Sequence, residues 1–122
     1  MKVAAAFPAD VATLASTRRF VSAAMEGIAA TAEQVDAAVL VTNELAANAM
    51  CHATEDDVVV RLRCTEGGLR IEVDDRGTAE LPEDTGEMEV WSGLRLVETH
   101  CSSWGVESTE TGKRVWALVD VG

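Results

Sequence analysis

From Ala32 to about His52, Val35, Ala38, Val39, Val41, Leu45 and Ala49 recur at helical spacing, and Thr31 followed by Gln34 supplies a capping box at the start. A few residues later the period changes from 3.6 to 2. Val58, Val60, Leu62 and Cys64 alternate with Val59, Arg61, Arg63 and Thr65; after Glu66-Gly67-Gly68, Leu69, Ile71 and Val73 alternate with Arg70, Glu72 and Asp74. A long helix that runs into an antiparallel hairpin with one buried face restricts the chain to folds in which helix and sheet share a core.

The flanking segments extend the same pattern. After a short apolar start, Asp10 caps a predicted helix through Val11, Leu14, Val21, Ala24, Met25 and Ile28, with Gly27 loosening its end. From Thr78 to about Trp91 periodicity vanishes, and Pro82, Gly86 and a string of acids predict a loop, long enough to be of a kind that is often functional. Ser92 caps a third helix through Leu94, Leu96, Val97 and Cys101. Trp104 to Thr109 and Lys113 to Val121 then form a second hairpin around Glu110-Thr111-Gly112. The expectation is a single α+β domain over residues 1–122, a two-layer sandwich with three helices on one face of a mixed, largely antiparallel sheet.

Composition narrows the partners. A formal charge of −11 leaves no basic stripe to neutralise phosphates, which argues against direct nucleic-acid binding and favours encounter with a basic protein, or simply solubility. No apolar run approaches the roughly 20 residues of a membrane span, and Met1-Lys2-Val3-Ala4 does not open an export signal. Cys51, Cys64 and Cys101 are an odd set without C-x-x-C spacing, which argues against a disulfide framework or a zinc site. A soluble cytoplasmic protein is expected.

Against this background two features look like chemistry. Glu44 and Asn48 lie one helical turn apart on the same face, so a carboxylate and a carboxamide converge on one small site. The strand ending at Asp74-Asp75-Arg76-Gly77 offers a second polar group beside flexible backbone. Taken singly, each is common: an exposed helical pair or an ordinary strand exit.

Their order is more specific. A helix with Asn43-Glu44, Asn48-Ala49 and His52-Ala53, a strand ending in Asp75-Arg76-Gly77, a loop, Ser92-Gly93-Leu94 opening a helix and a late Trp104-Gly105 together resemble the GHKL (histidine-kinase-like) ATPase fold. Within it, the chain resembles the small anti-sigma-factor serine/threonine kinases of bacteria. The resemblance implies ATP and Mg²⁺ as cofactors, with Asn48 as metal ligand, since Mg²⁺ keeps several waters and needs few protein oxygens. It implies Glu44 as the base, Asp75 as acceptor for the adenine exocyclic amine, Gly77 as a point of close approach to the base, and Gly93 with Leu94 at a helix start suited to phosphate. His52 takes a supporting role. The implied partners are a sigma factor and an anti-sigma-factor antagonist phosphorylated on serine, with homodimers common in the family.

The chain also departs from the family. Gly-x-Gly-Leu becomes Trp91-Ser92-Gly93-Leu94, Ala79 replaces a glycine, and Glu80, Glu83, Asp84, Glu87 and Glu89 load the loop with negative charge, with Arg76 and Arg95 the nearby cations. These departures support a second class of function, a protein-binding module with the same fold that regulates transcription without ATP turnover.

Overall fold

The computed structural model describes residues 1–52, 57–75 and 97–120. Five strands form one antiparallel sheet: β1 (Lys2–Phe7), β2 (Val58–Thr65), β3 (Gly68–Asp75), β4 (Ser103–Ser108) and β5 (Lys113–Val119), in the spatial order β1-β2-β3-β5-β4. Two long helices, α1 (Leu14–Met25) and α2 (Ala32–His52), pack together, and α2 lies against β2, β3 and β5. Residues 97–100 are also helical. This is the expected α+β sandwich, with all described strand pairs antiparallel rather than mixed.

The sequence explains the boundaries. At the start of α2 the Thr31 backbone N–H donates to Gln34 Oε1 at 2.8 Å, while the Gln34 N–H donates to Thr31 Oγ1 at 3.1 Å, so two orphan donors of the first turn are satisfied reciprocally. Asp10 does act as a cap, accepting from the Ala12 N–H at 2.9 Å, but it caps a 3-10 turn over Val11–Thr13, and α1 begins only at Leu14. Ile28 lies beyond the end of α1, in the turn that contains Gly27.

Strand β1 is the clearest departure from expectation. Lys2 to Phe7 pairs with Arg63 to Val58 along the edge of the sheet, where the sequence shows only a short apolar start. Three consecutive alanines give it neither alternation nor β-propensity, and pairing with β2 supplies what local preference does not. The Phe7 ring meets Phe20 of α1 edge-on at 5.8 Å, which ties the edge strand to the helical layer.

The core sits between the layers. Ala38, Val41, Leu45, Ala46 and Ala49 of α2 interdigitate with Val58, Val60 and Leu62 of β2, Leu69, Ile71 and Val73 of β3, and Val115, Ala117 and Val119 of β5, joined by Val21 and Met25 of α1 and by Val97. Each sheet contribution falls on every second residue, as the pleat requires. At the tight connection from β2 to β3, Gly68 has φ of 130°, and a Cβ there would stand 2.3 Å from the Val119 carbonyl oxygen, so this position requires glycine. The opposite sheet face is open and charged: Asp74 takes Arg114 through two hydrogen bonds of 2.7 and 3.0 Å and also pairs with Arg61, while Arg70 reaches Glu72 at 2.8 Å and stacks 4.5 Å above Trp116. No described helix is long and apolar enough to cross a membrane.

Candidate functional site

The helix α2 carries its polar residues in two directions. Asn43 Oδ1 accepts from Arg18 Nη1 at 2.9 Å, which commits that side chain to the α1–α2 contact. Thr42 is fully buried and satisfies its hydroxyl by donating to the Ala38 carbonyl at 2.8 Å. Glu44 and Asn48, one turn apart, are both half-buried, as helical spacing predicts for side chains at the rim of the helix–sheet interface.

Asn48 is the anomaly. Its amide nitrogen is buried and has no hydrogen-bond partner, whereas buried polar groups in folded proteins almost always have one. Half a turn about the terminal torsion exchanges the amide and carbonyl ends, so the group can present either a donor or an oxygen ligand. An oxygen ligand suits Mg²⁺, which binds through one or two protein oxygens together with phosphate and water. Among the described residues no three His, Cys, Asp or Glu side chains gather to hold a metal by themselves. The residues present therefore fit a magnesium–nucleotide site.

The second part of the site lies at the end of the sheet. Alternation along β3 sends Leu69, Ile71, Val73 and Asp75 to the helical side, and along β5 it sends Lys113, Val115, Ala117 and Val119 there. Asp75 and Lys113 face each other in register, 2% and 4% exposed, with Lys113 Nζ 3.4 Å from Asp75 Oδ2. Val59 stands opposite Asp74, and residues 53–57 alone separate α2 from β2. So short a connection, at no more than about 3.6 Å per residue, places the C-terminal turns of α2 at the same end of the sandwich as Asp75.

The structure thus assigns Glu44 and Asn48 to one helix rim and Asp75 to the adjoining sheet end. Gly77, Gly93 and Leu94 lie outside the described residues, as do Trp91 and the acidic stretch that precedes it. Lys113 was not singled out by sequence reasoning. Its signal was phase: it is in step with Val115, Ala117 and Val119 and out of step with Arg114, so a lysine occupies an inward position. Cys64 and Cys101 are free thiols; burial, with the nearby Glu98 charge, raises the Cys101 pKa and keeps it protonated.

A family model described as histidine kinase-like ATPase domain matches residues 7–118. Among solved structures, the histidine kinase domain of the Erythrobacter litoralis EL346 blue-light activated histidine kinase superposes with a TM-score of 0.57 at 23% identity, covering 94% of this chain. The chain spans 62% of that structure's length, and at this identity the likeness concerns the fold. No curated protein matches the chain.

Proposed function

Since the chain belongs to the histidine kinase-like ATPase domain family, we propose that it binds Mg-ATP between α2 and the end of β3, and that it acts as an anti-sigma-factor kinase in the bacterial cytoplasm. In this role it holds a sigma factor and phosphorylates a serine of an antagonist protein. The observation that carries the nucleotide site is the orphaned amide of Asn48, a buried polar group whose missing partner a bound ligand would supply. The step from nucleotide binding to this particular partner set rests on the motif order from Asn43 to Gly105.

The residues divide the work. Asn48 anchors the cation together with the phosphates, and the cation, once bound, offsets charge on the phosphate oxygens. Asp75 accepts from the exocyclic amine of adenine. Glu44 takes the proton of the serine hydroxyl as that oxygen forms its bond to the γ-phosphorus and the bond from the γ-phosphorus to the bridging oxygen breaks, leaving ADP. Gly77, Gly93 and Leu94 complete the cradle for base and phosphates in this proposal.

A second function is favoured by Trp91 in place of a family glycine and by the acids from Glu80 to Glu89: the same fold serving as a contact module without turnover. Calorimetric titration of Mg-ATP into the protein and into Asn48→Ala separates the two. Magnesium-dependent binding that disappears in the variant supports the kinase. Absence of heat and of thermal stabilisation at millimolar ATP refutes the nucleotide site and leaves the contact module.

A further inference from the structure

We propose that Lys113 is a second base-reading residue: beside Asp75 it forms an acceptor–donor pair that reads the edge of the adenine ring, Asp75 taking the exocyclic amine and Lys113 donating to the adjacent ring nitrogen, N1. The inference rests on the proposed ATP site and assigns specificity within it.

The position of the pair is the first argument. Four polar or charged residues among those described are buried: Thr17, Thr42, Asp75 and Lys113. Both threonines satisfy their hydroxyls within their own helices, Thr17 by donating to the Leu14 carbonyl at 2.7 Å and Thr42 to that of Ala38. Asp75 and Lys113 are therefore the charged intrusion into an otherwise apolar surface. A buried ion pair gives stability no better than a well-packed apolar pair of similar size, so packing alone offers no reason to place one at the end of two apolar rows.

Its geometry is the second. A charge-assisted N–H···O bond closes to about 2.7–2.9 Å, as Arg114 and Asp74 do on the opposite face, whereas Lys113 and Asp75 stand 3.4 Å apart. The ammonium carries three donors, and Asp75 is its ion partner among the described residues. Cross-strand register holds the two head groups side by side at the sheet end that α2 approaches with Asn48. The lysine stem continues the apolar row of Val115, Ala117 and Val119, and with the side chain 5% exposed the ammonium is held under cover beside Asp75.

The chemistry is the third. A carboxylate alone accepts from any base that carries an amine or ring N–H. Adenine presents an amine donor next to an unprotonated ring nitrogen, and an adjoining carboxylate and ammonium match both. Lys113 thereby converts a contact to one group into a reading of two neighbouring groups.

The test compares ATP with 1-deaza-ATP, which keeps the amine and has carbon at position 1, by calorimetry on the full chain and on Lys113→Met. The wild-type protein is expected to bind ATP about 10-fold or more tightly than the analogue, the loss of one hydrogen bond from a charged donor. In Lys113→Met the two ligands should bind within about 2-fold of each other, because the discriminating donor is gone. Asp75→Asn combined with Lys113→Met restores neutrality if the single variant does not fold, and should show the same equality. Equal binding of both ligands by the wild type overturns the proposal, as does discrimination that survives in either variant. Tighter ATP binding by Lys113→Met also overturns it, since Lys113 would then compete for Asp75 instead of assisting. If the wild type binds neither nucleotide, the ATP site falls together with this assignment; if it binds ATP through Asn48 but is indifferent to position 1, only the role of Lys113 falls.

Discussion

Asn48→Ala should raise the stability of the ligand-free protein while removing its response to Mg-ATP. An unpartnered buried amide costs about 1–3 kcal/mol, and because Asn48 is only half-buried we take the low end, about 1 kcal/mol. Alanine in a helix interior adds up to about 0.7 kcal/mol over asparagine, and lost contacts of the carboxamide subtract about half a kcal/mol, so the net gain is roughly 1 kcal/mol. For a chain of 122 residues this corresponds to roughly 4 °C in Tm. Mg-ATP at 100 times its Kd should stabilise the wild type by about 2.7 kcal/mol, roughly 10 °C, and leave the variant unmoved. Differential scanning calorimetry without ligand and with it at about 100 times its Kd would show the melting order reverse between the two proteins. A ligand-free variant that melts below the wild type would refute the reasoning, because Asn48 would then contribute more to the fold than its orphaned amide costs.

Three further outcomes concern Glu44, Asp74 and Gly68. Glu44→Gln should lower phosphotransfer to a serine acceptor about 10²–10⁴-fold while ATP affinity, read by calorimetry, stays within about 3-fold; retained transfer removes Glu44 as the base. Burial alone would raise the Asp74 carboxyl, but hydrogen bonds from Arg114 and Arg61, with their charges, outweigh it and hold the folded pKa below 3.8. The resulting stability is present above the unfolded value and is lost as pH falls through the folded one, so Asp74→Asn should cost about 1 kcal/mol in urea denaturation at neutral pH and progressively less as pH falls below the unfolded carboxyl value of about 3.9. Gly68→Ala should destabilise by at least about 2 kcal/mol in the same assay, since φ of 130° and the Val119 carbonyl both oppose a Cβ; an unchanged midpoint would mean that the β2–β3 connection relaxes freely.

Legibility in the sequence followed the strength of local signals. Helix α2 was readable to its ends because its apolar period is long and its capping box closes on itself, and both hairpins were readable because alternation reports which face is buried. Strand β1 was not, since an alanine run at a sheet edge takes its conformation from its neighbour rather than from itself. The Glu44 and Asn48 pair was readable from helical spacing, but the missing partner of the Asn48 amide is a property of packing and appears only in three dimensions. The expected loop from Thr78 to Trp91 and the start of the third helix at Ser92 fall outside the described residues.

Adjacent aspartates show why the site is found where the core rule fails. Asp74 and Asp75 are neighbours in sequence, yet the pleat sends them to opposite faces. Asp74 lies on the open face within a network in which Arg61 and Arg114 close tightly on both its oxygens, and such a carboxylate has been committed to structure. Asp75 lies on the helical face, where every other inward position of β3 is apolar, and its lysine partner stands off at 3.4 Å. Desolvating two charges and holding them at that distance is a poor way to stabilise a sandwich, as is leaving a buried amide unpaired on the helix above. In the proposed site a single ligand would bring a base edge to Asp75 and Lys113 and charged oxygens with their cation to Asn48, whose orphaned amide it would engage. The pleat thus separates an outer carboxylate, Asp74, bound by Arg61 and Arg114, from an inward Asp75–Lys113 pair at the end of the sheet.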